Sequence, residues 1–211
     1  MSVMGVWVVG VVADDVVEET RRRFPDAAGA HGTWPESSAC MSPWRKEFGP
    51  AGSLDRAPER LSRTDEIVRF ADAVDRVRND ESEVDEFQDH LFHAVPQQEG
   101  EGLFCAAVPR GDGAAALMWA LGLDTTLRLP GCCGQFLFDA SQARSALPAA
   151  EQALAMDPPR RAHVAARVRQ WLDEMADDPN HDIDELIDGP LRVLRYAARK
   201  GVGAVGLTLW Y

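Results

Sequence analysis

The sequence predicts an α/β or α+β fold: a single domain over residues 1–211, in which a mixed β-sheet of about four to five strands packs with several helices. Three observations predict it. The chain has 211 residues of which 45% are hydrophobic, enough for one globular domain with a buried core. Short β-branched runs alternate with segments whose apolar residues recur at helical spacing. No repeat and no break in composition divides the chain.

The opening run "MGVWVVGVV" carries Val6, Val8, Val9, Val11 and Val12 and reads as a buried strand. It lacks the basic flank and cleavage site of a signal peptide and is too short to span a bilayer. Asp15 and Glu18 have capping-box spacing and open a helix that Pro25 is expected to end. Residues 25–63 hold several prolines and glycines with no sustained period, and are expected to form a long irregular segment. Ser62 or Thr64 then caps a helix with Ile67, Phe70, Val74 and Val77 on one face. After the acidic stretch "NDESEVDE", the stripe resumes at Val84, Phe87, Leu91 and Val95. "GLFCAAVP" reads as a strand. Asp112 caps a helix that Gly122 stops. "TTLRLP" and "QFLFD" read as strands on either side of Gly131-Cys132-Cys133-Gly134. Asp139 or Ser141 opens another helix, and Pro158-Pro159 opens one with Val164, Val168, Trp171, Leu172 and Met175 on one face. A last helix over about 183–200 precedes Gly201, and "GAVGLTLW" closes the chain as a strand.

The formal net charge is −12. A chain this acidic is repelled by nucleic-acid phosphates and by anionic membranes, and any partner steered to it by long-range charge is basic. Four cysteines, two of them adjacent, do not make a secreted disulfide framework, so the chain is expected to be cytoplasmic.

Four pieces occur in a particular order. They are "MGVWVVGV", "VDEFQDHLFHAV", "FLFDASQARSAL" and "LRVLRYAARKGVGAVGLTLW". In that order they resemble the YfbM-like family of small bacterial proteins, with Gln88 where the family's Asp-x-x-x-Trp-x-x-Leu-His type helix has Trp. Segment 25–63, the Cys pair and "MADDPNHD" have no counterpart in the resemblance. It implies a fold and no catalytic residue.

Several residues are candidates for function. Cys132 and Cys133 would serve a small cysteine-dependent hydrolase or acyl-transfer enzyme if a base lay nearby and the thiol pKa were lowered. The alternative is that the pair is core at a glycine-bounded turn. Glu86 and His90, four apart on a helix as Asp89 and His93 are, give a weak metal alternative of Glu86, His90 and His93, and no third ligand type is evident. Asp178, Asn180 and Asp182 imitate a calcium loop, but Ile183 stands where the loop needs Gly and Gly189 where it needs Glu. Gly111-x-Gly113-x-x-Ala116 is a fragment of a dinucleotide fingerprint, with Asp112 placed where pyrophosphate would sit. Trp34, Trp44, Arg45 and Phe48 in segment 25–63 suit an interface, because Trp and Arg anchor interfaces; equally, the rings could cover the core.

The balance favours a non-catalytic binding or interaction protein with an acidic surface, of a size and charge suited to an immunity-type role against a basic partner. No cofactor and no metal are expected. The alternative is the cysteine enzyme centred on Cys132 and Cys133.

Overall fold

The computed structural model describes residues 4–32, 67–72, 74, 84–96, 98, 100–109, 112–126, 128, 129, 131, 134–175 and 182–210. It has an α+β architecture. In chain order the elements are β1 (Met4–Val12), α1 (Asp14–Arg23), α2 (Pro25–Gly32), α3 (Val84–Ala94), β2 (Leu103–Pro109), α4 (Gly113–Leu121), α5 (Leu123–Thr126), β3 (Phe136–Phe138), α6 (Ala140–Leu154), α7 (Pro158–Glu174), α8 (Ile183–Lys200) and β4 (Gly203–Trp210). Residues 67–72 are also helical.

The strands form one four-stranded sheet in the order β2-β1-β4-β3. Every described pairing is antiparallel, where a mixed sheet was expected.

The β1 register sorts side chains onto two faces, since successive residues point to opposite sides. Trp7 lies opposite Ala106 and Thr208, and Val9 opposite Phe104 and Gly206. Trp7, Val9, Phe104, Phe136 and Phe138 belong to one core cluster with the buried residues of α4, α6, α7 and α8. Val8, Val12, Leu137, Val205 and Leu207 belong to a second cluster with Val17, Phe24, Phe87 and Leu91 of the α1–α3 layer. The two central strands, β1 and β4, are therefore largely buried on both faces. That is why the opening strand reads as a continuous apolar run rather than an alternating one. Ile67, Phe70 and Val74 join the first cluster, as their helical spacing predicts.

Local chemistry sets several boundaries. Asp112 Oδ1 accepts from the backbone N–H of Ala114 at 2.8 Å and of Ala115 at 3.2 Å, capping α4. Asp139 and Gln142 form a reciprocal capping box at the start of α6. Asp157 and Asp182 cap α7 and α8 through Arg160 N and Glu185 N.

Three local expectations are corrected. Asp15 does not cap α1: the helix begins one residue earlier, Ala13 is the cap position, and Asp15 Oδ1 accepts from Val16 N at 2.9 Å. Pro25 ends one helix but starts another, so residues 25–32 of the supposed irregular segment are helical. Proline suits the first helical turn because its missing N–H would be unpaired there anyway. Residues 125–130, expected as a strand, begin in the helical turn α5 instead. The Thr126 hydroxyl donates to Met118 O at 3.0 Å and ties that turn back onto α4.

Candidate functional site

The outer layer on the second sheet face has the chemistry that best fits a partner. Val17, Thr20 and Phe24 recur along α1 and its C-cap and point into the core. Their spacing turns Asp14, Asp15, Glu18 and Glu19 to solvent, where all four are exposed. α3 packs beside α1 through two contacts. Phe24 meets Phe87 edge to face with ring centroids 5.9 Å apart, and His90 Nε2 lies 3.1 Å from the Thr20 hydroxyl. Glu86 and Asp89 of α3 are exposed as well.

Several arginines are paired within the chain, while Arg22 and Arg23 in the last turn of α1 are exposed and form no ion pair among the described residues. Arg161 holds Asp184 and Asp188, Arg192 holds Glu185, Arg195 holds Glu151, Arg199 holds Glu101 and Arg21 holds Asp139. The hydrogen bonds that Arg161 donates to Asp188 and Asp184 raise its guanidinium further above its ordinary value. Among the described residues, Asp14, Asp15, Glu18, Glu19, Glu86 and Asp89 form no ion pair. The spacing in "DDVVEE", with each carboxylate four residues from another, was the sequence signal for a shared acidic face. What the sequence could not show is that α3 lies beside it.

The histidines serve the packing. Thr20 donates its single hydroxyl proton to Val16 O at 2.7 Å, so it must accept from His90 Nε2–H. The His90 ring also lies 5.7 Å from that of Phe24. His93 Nδ1 lies 2.7 Å from Asp89 O and donates to it. Glu86, His90 and His93 are not brought together around one point, and among the described residues no cluster of three such ligands occurs.

The dinucleotide fragment has a structural explanation. The buried Asp112 carboxylate occupies the N-terminus of α4, where a phosphate would have to sit. A Cβ on Gly113 would lie 2.9 Å from Leu186 Cδ1, so glycine there permits close packing of α4 on α8. The calcium imitation resolves similarly: Asp182 is an N-cap, Ile183 is buried, and Gly189 lies inside α8 against Phe104. Asp178 and Asn180 lie outside the described residues.

Cys132, Cys133, Trp34, Trp44, Arg45 and Phe48 also lie outside the described residues. The glycines flanking the Cys pair are described, and both have φ +81. Gly134 packs into the core: its carbonyl accepts from Trp7 Nε1 at 3.2 Å, and a Cβ would lie 2.6 Å from that of Ala114. Its positive φ and this close approach both require glycine. Beside it is a cavity of about 30 Å³ whose lining includes Trp7, Leu117, Met118, Phe136 and Leu194. Among the described residues no titratable side chain lines it.

Cys105 is a free thiol on β2, exposed at the surface, and partial burial of its sulfur pushes the thiol above its ordinary value. No helix among the described residues is long and apolar enough to cross a membrane. No family model, no curated protein and no solved structure matches the chain.

Proposed function

We propose that this chain is a non-catalytic interaction protein whose acidic α1–α3 layer engages a basic partner. One observation carries the proposal. Four exposed carboxylates on two turns of α1, and two on the neighbouring α3, lie on one side of the sheet outside any ion pair among the described residues. Like charges gathered on one surface raise the local potential and speed the approach of an opposite charge. The immunity-type role, neutralising a basic protein, is the finer form of the same proposal. So is the resemblance to the YfbM-like family: α8 and β4 span the residues on which its last piece rests. A cytoplasmic location belongs to the same proposal.

The test is titration with poly-lysine at low ionic strength, comparing the native chain with a variant carrying Glu18→Lys and Glu19→Lys. Both positions are exposed, so the fold is retained and circular dichroism should be unchanged. The proposal expects binding to the native chain and an affinity about tenfold or more weaker for the variant, since rim charges act together. Equal binding by both proteins would place the cation elsewhere and overturn it.

A further inference from the structure

We infer that the outer edge of β2 is a docking edge, to which an extended segment of a basic partner adds as a new strand. This inference rests on the basic-partner proposal and names the mode of recognition.

The two edges of the sheet differ. β3 has three residues, α2 lies beside it, and its Leu137 carbonyl accepts from Arg21 Nη2 at 3.3 Å. β2 has seven residues. On its outer side, Arg192 Nη2 reaches the first carbonyl, that of Leu103, at 3.2 Å. The backbone groups of Phe104, Ala106 and Val108 face β1, so the outward ones are those of Cys105 and Ala107, which make no hydrogen bond on that side among the described residues. An edge of this kind presents a row of donors and acceptors to any extended chain.

Natural edges are usually blunted by lysine, internal proline, a bulge or an inward charge. Residues 104–108, Phe-Cys-Ala-Ala-Val, hold none of these. The register with β1 runs one to one from Gly10↔Leu103 to Met4↔Pro109, so no bulge twists the edge away. Phe104, Ala106 and Val108 are buried on one face, while Cys105 and Ala107 are exposed on the other. Both exposed side chains are small and leave an incoming strand unobstructed. Strand addition draws affinity from main-chain hydrogen bonds and specificity from alternate side chains.

Charge chooses the occupant. A second copy carries another net −12 and is repelled. A segment with lysine or arginine at alternate positions is attracted, and strand pairing puts those side chains on one face.

The experiment titrates isotope-labelled protein at low salt with the capped heptapeptide Lys-Val-Lys-Val-Lys-Val-Lys. A second titration uses the same peptide N-methylated at its three central residues. Methylation keeps the charge but removes pairing on both peptide edges. The inference expects the first peptide to bind and to slow amide exchange at Cys105 and Ala107, whose N–H groups face away from β1, but not in 136–138. It expects the methylated peptide to bind about tenfold or more weakly. Equal binding of the two peptides, or protection elsewhere, overturns the docking edge and leaves the basic-partner proposal standing. If neither peptide binds, both fall.

Discussion

Gly189→Ala sets two effects of known sign against each other. Gly189 lies inside α8, where alanine is normally better than glycine by about 1 kcal/mol. The structure opposes that gain. A Cβ at 189 would lie 2.1 Å from Phe104 Cδ2, 2.7 Å from Cε2 and 2.8 Å from Cγ. The obstacle is the body of a ring, not the end of a flexible chain. Phe104 is buried and meets Trp7 edge to face with centroids 5.1 Å apart, so it has little room to turn. Overpacking a well-filled core costs about 1–3 kcal/mol, and so close an approach belongs at the upper end. The net expectation is a loss of about 2 kcal/mol, since packing outweighs propensity. For a chain of this size that lowers Tm by about 4–8 °C. Thermal unfolding followed by circular dichroism measures it. A variant as stable as the native chain, or more so, would show that α8 does not press on β2 as described.

Other expectations follow from the same geometry. Gly29→Ala, in α2 with nothing within 4 Å of a new Cβ, should stabilise by up to about 1 kcal/mol in the same assay. Burial pushes the Asp139 carboxyl up, but the backbone N–H of Gln142, the Arg21 guanidinium and the N–H of Ser141 together hold it below its ordinary value. Asp139→Ala should therefore cost about 0.5–2 kcal/mol at neutral pH through the lost cap. Because the folded value is the lower one, this contribution is present above the unfolded value near 3.9 and is lost as pH falls through the folded value. The gap between variant and native chain should thus close on acidification, and a gap unchanged at pH 2 would contradict the assignment. Alkylation of Cys105 should have a pH profile displaced above that of a model thiol, read site by site by mass spectrometry. The same experiment reports on Cys132 and Cys133: a binding protein needs no activated thiol, and fast labelling of either well below pH 8.5 would favour the cysteine enzyme.

The parts of this fold that were legible in the sequence are those fixed by neighbours along the chain. The last helix and strand, the caps at Asp112 and Asp139, and the stripe of Ile67, Phe70 and Val74 follow from side-chain chemistry within a few residues. Where the sequence misled, distant contacts or a second use of one residue decided. Pro25 is both a stop and a good first-turn residue, and nothing local says which role prevails. Thr125 and Thr126 favour strands as isolated residues, but the hydroxyl of Thr126 finds Met118 O. The antiparallel order β2-β1-β4-β3 pairs the two ends of the chain and has no local signature. The acidic layer was half legible. "DDVVEE" shows the α1 carboxylates, but only folding puts Glu86 and Asp89 on the same side of the sheet.

The central claim is that the acidic surface engages a basic partner, and the salt dependence of poly-lysine affinity tests it most directly. A contact driven by charge should weaken steeply as ionic strength rises from about 0.01 to 0.15 M, where the screening length falls from about 30 to 8 Å. An affinity unchanged across that range would contradict the claim.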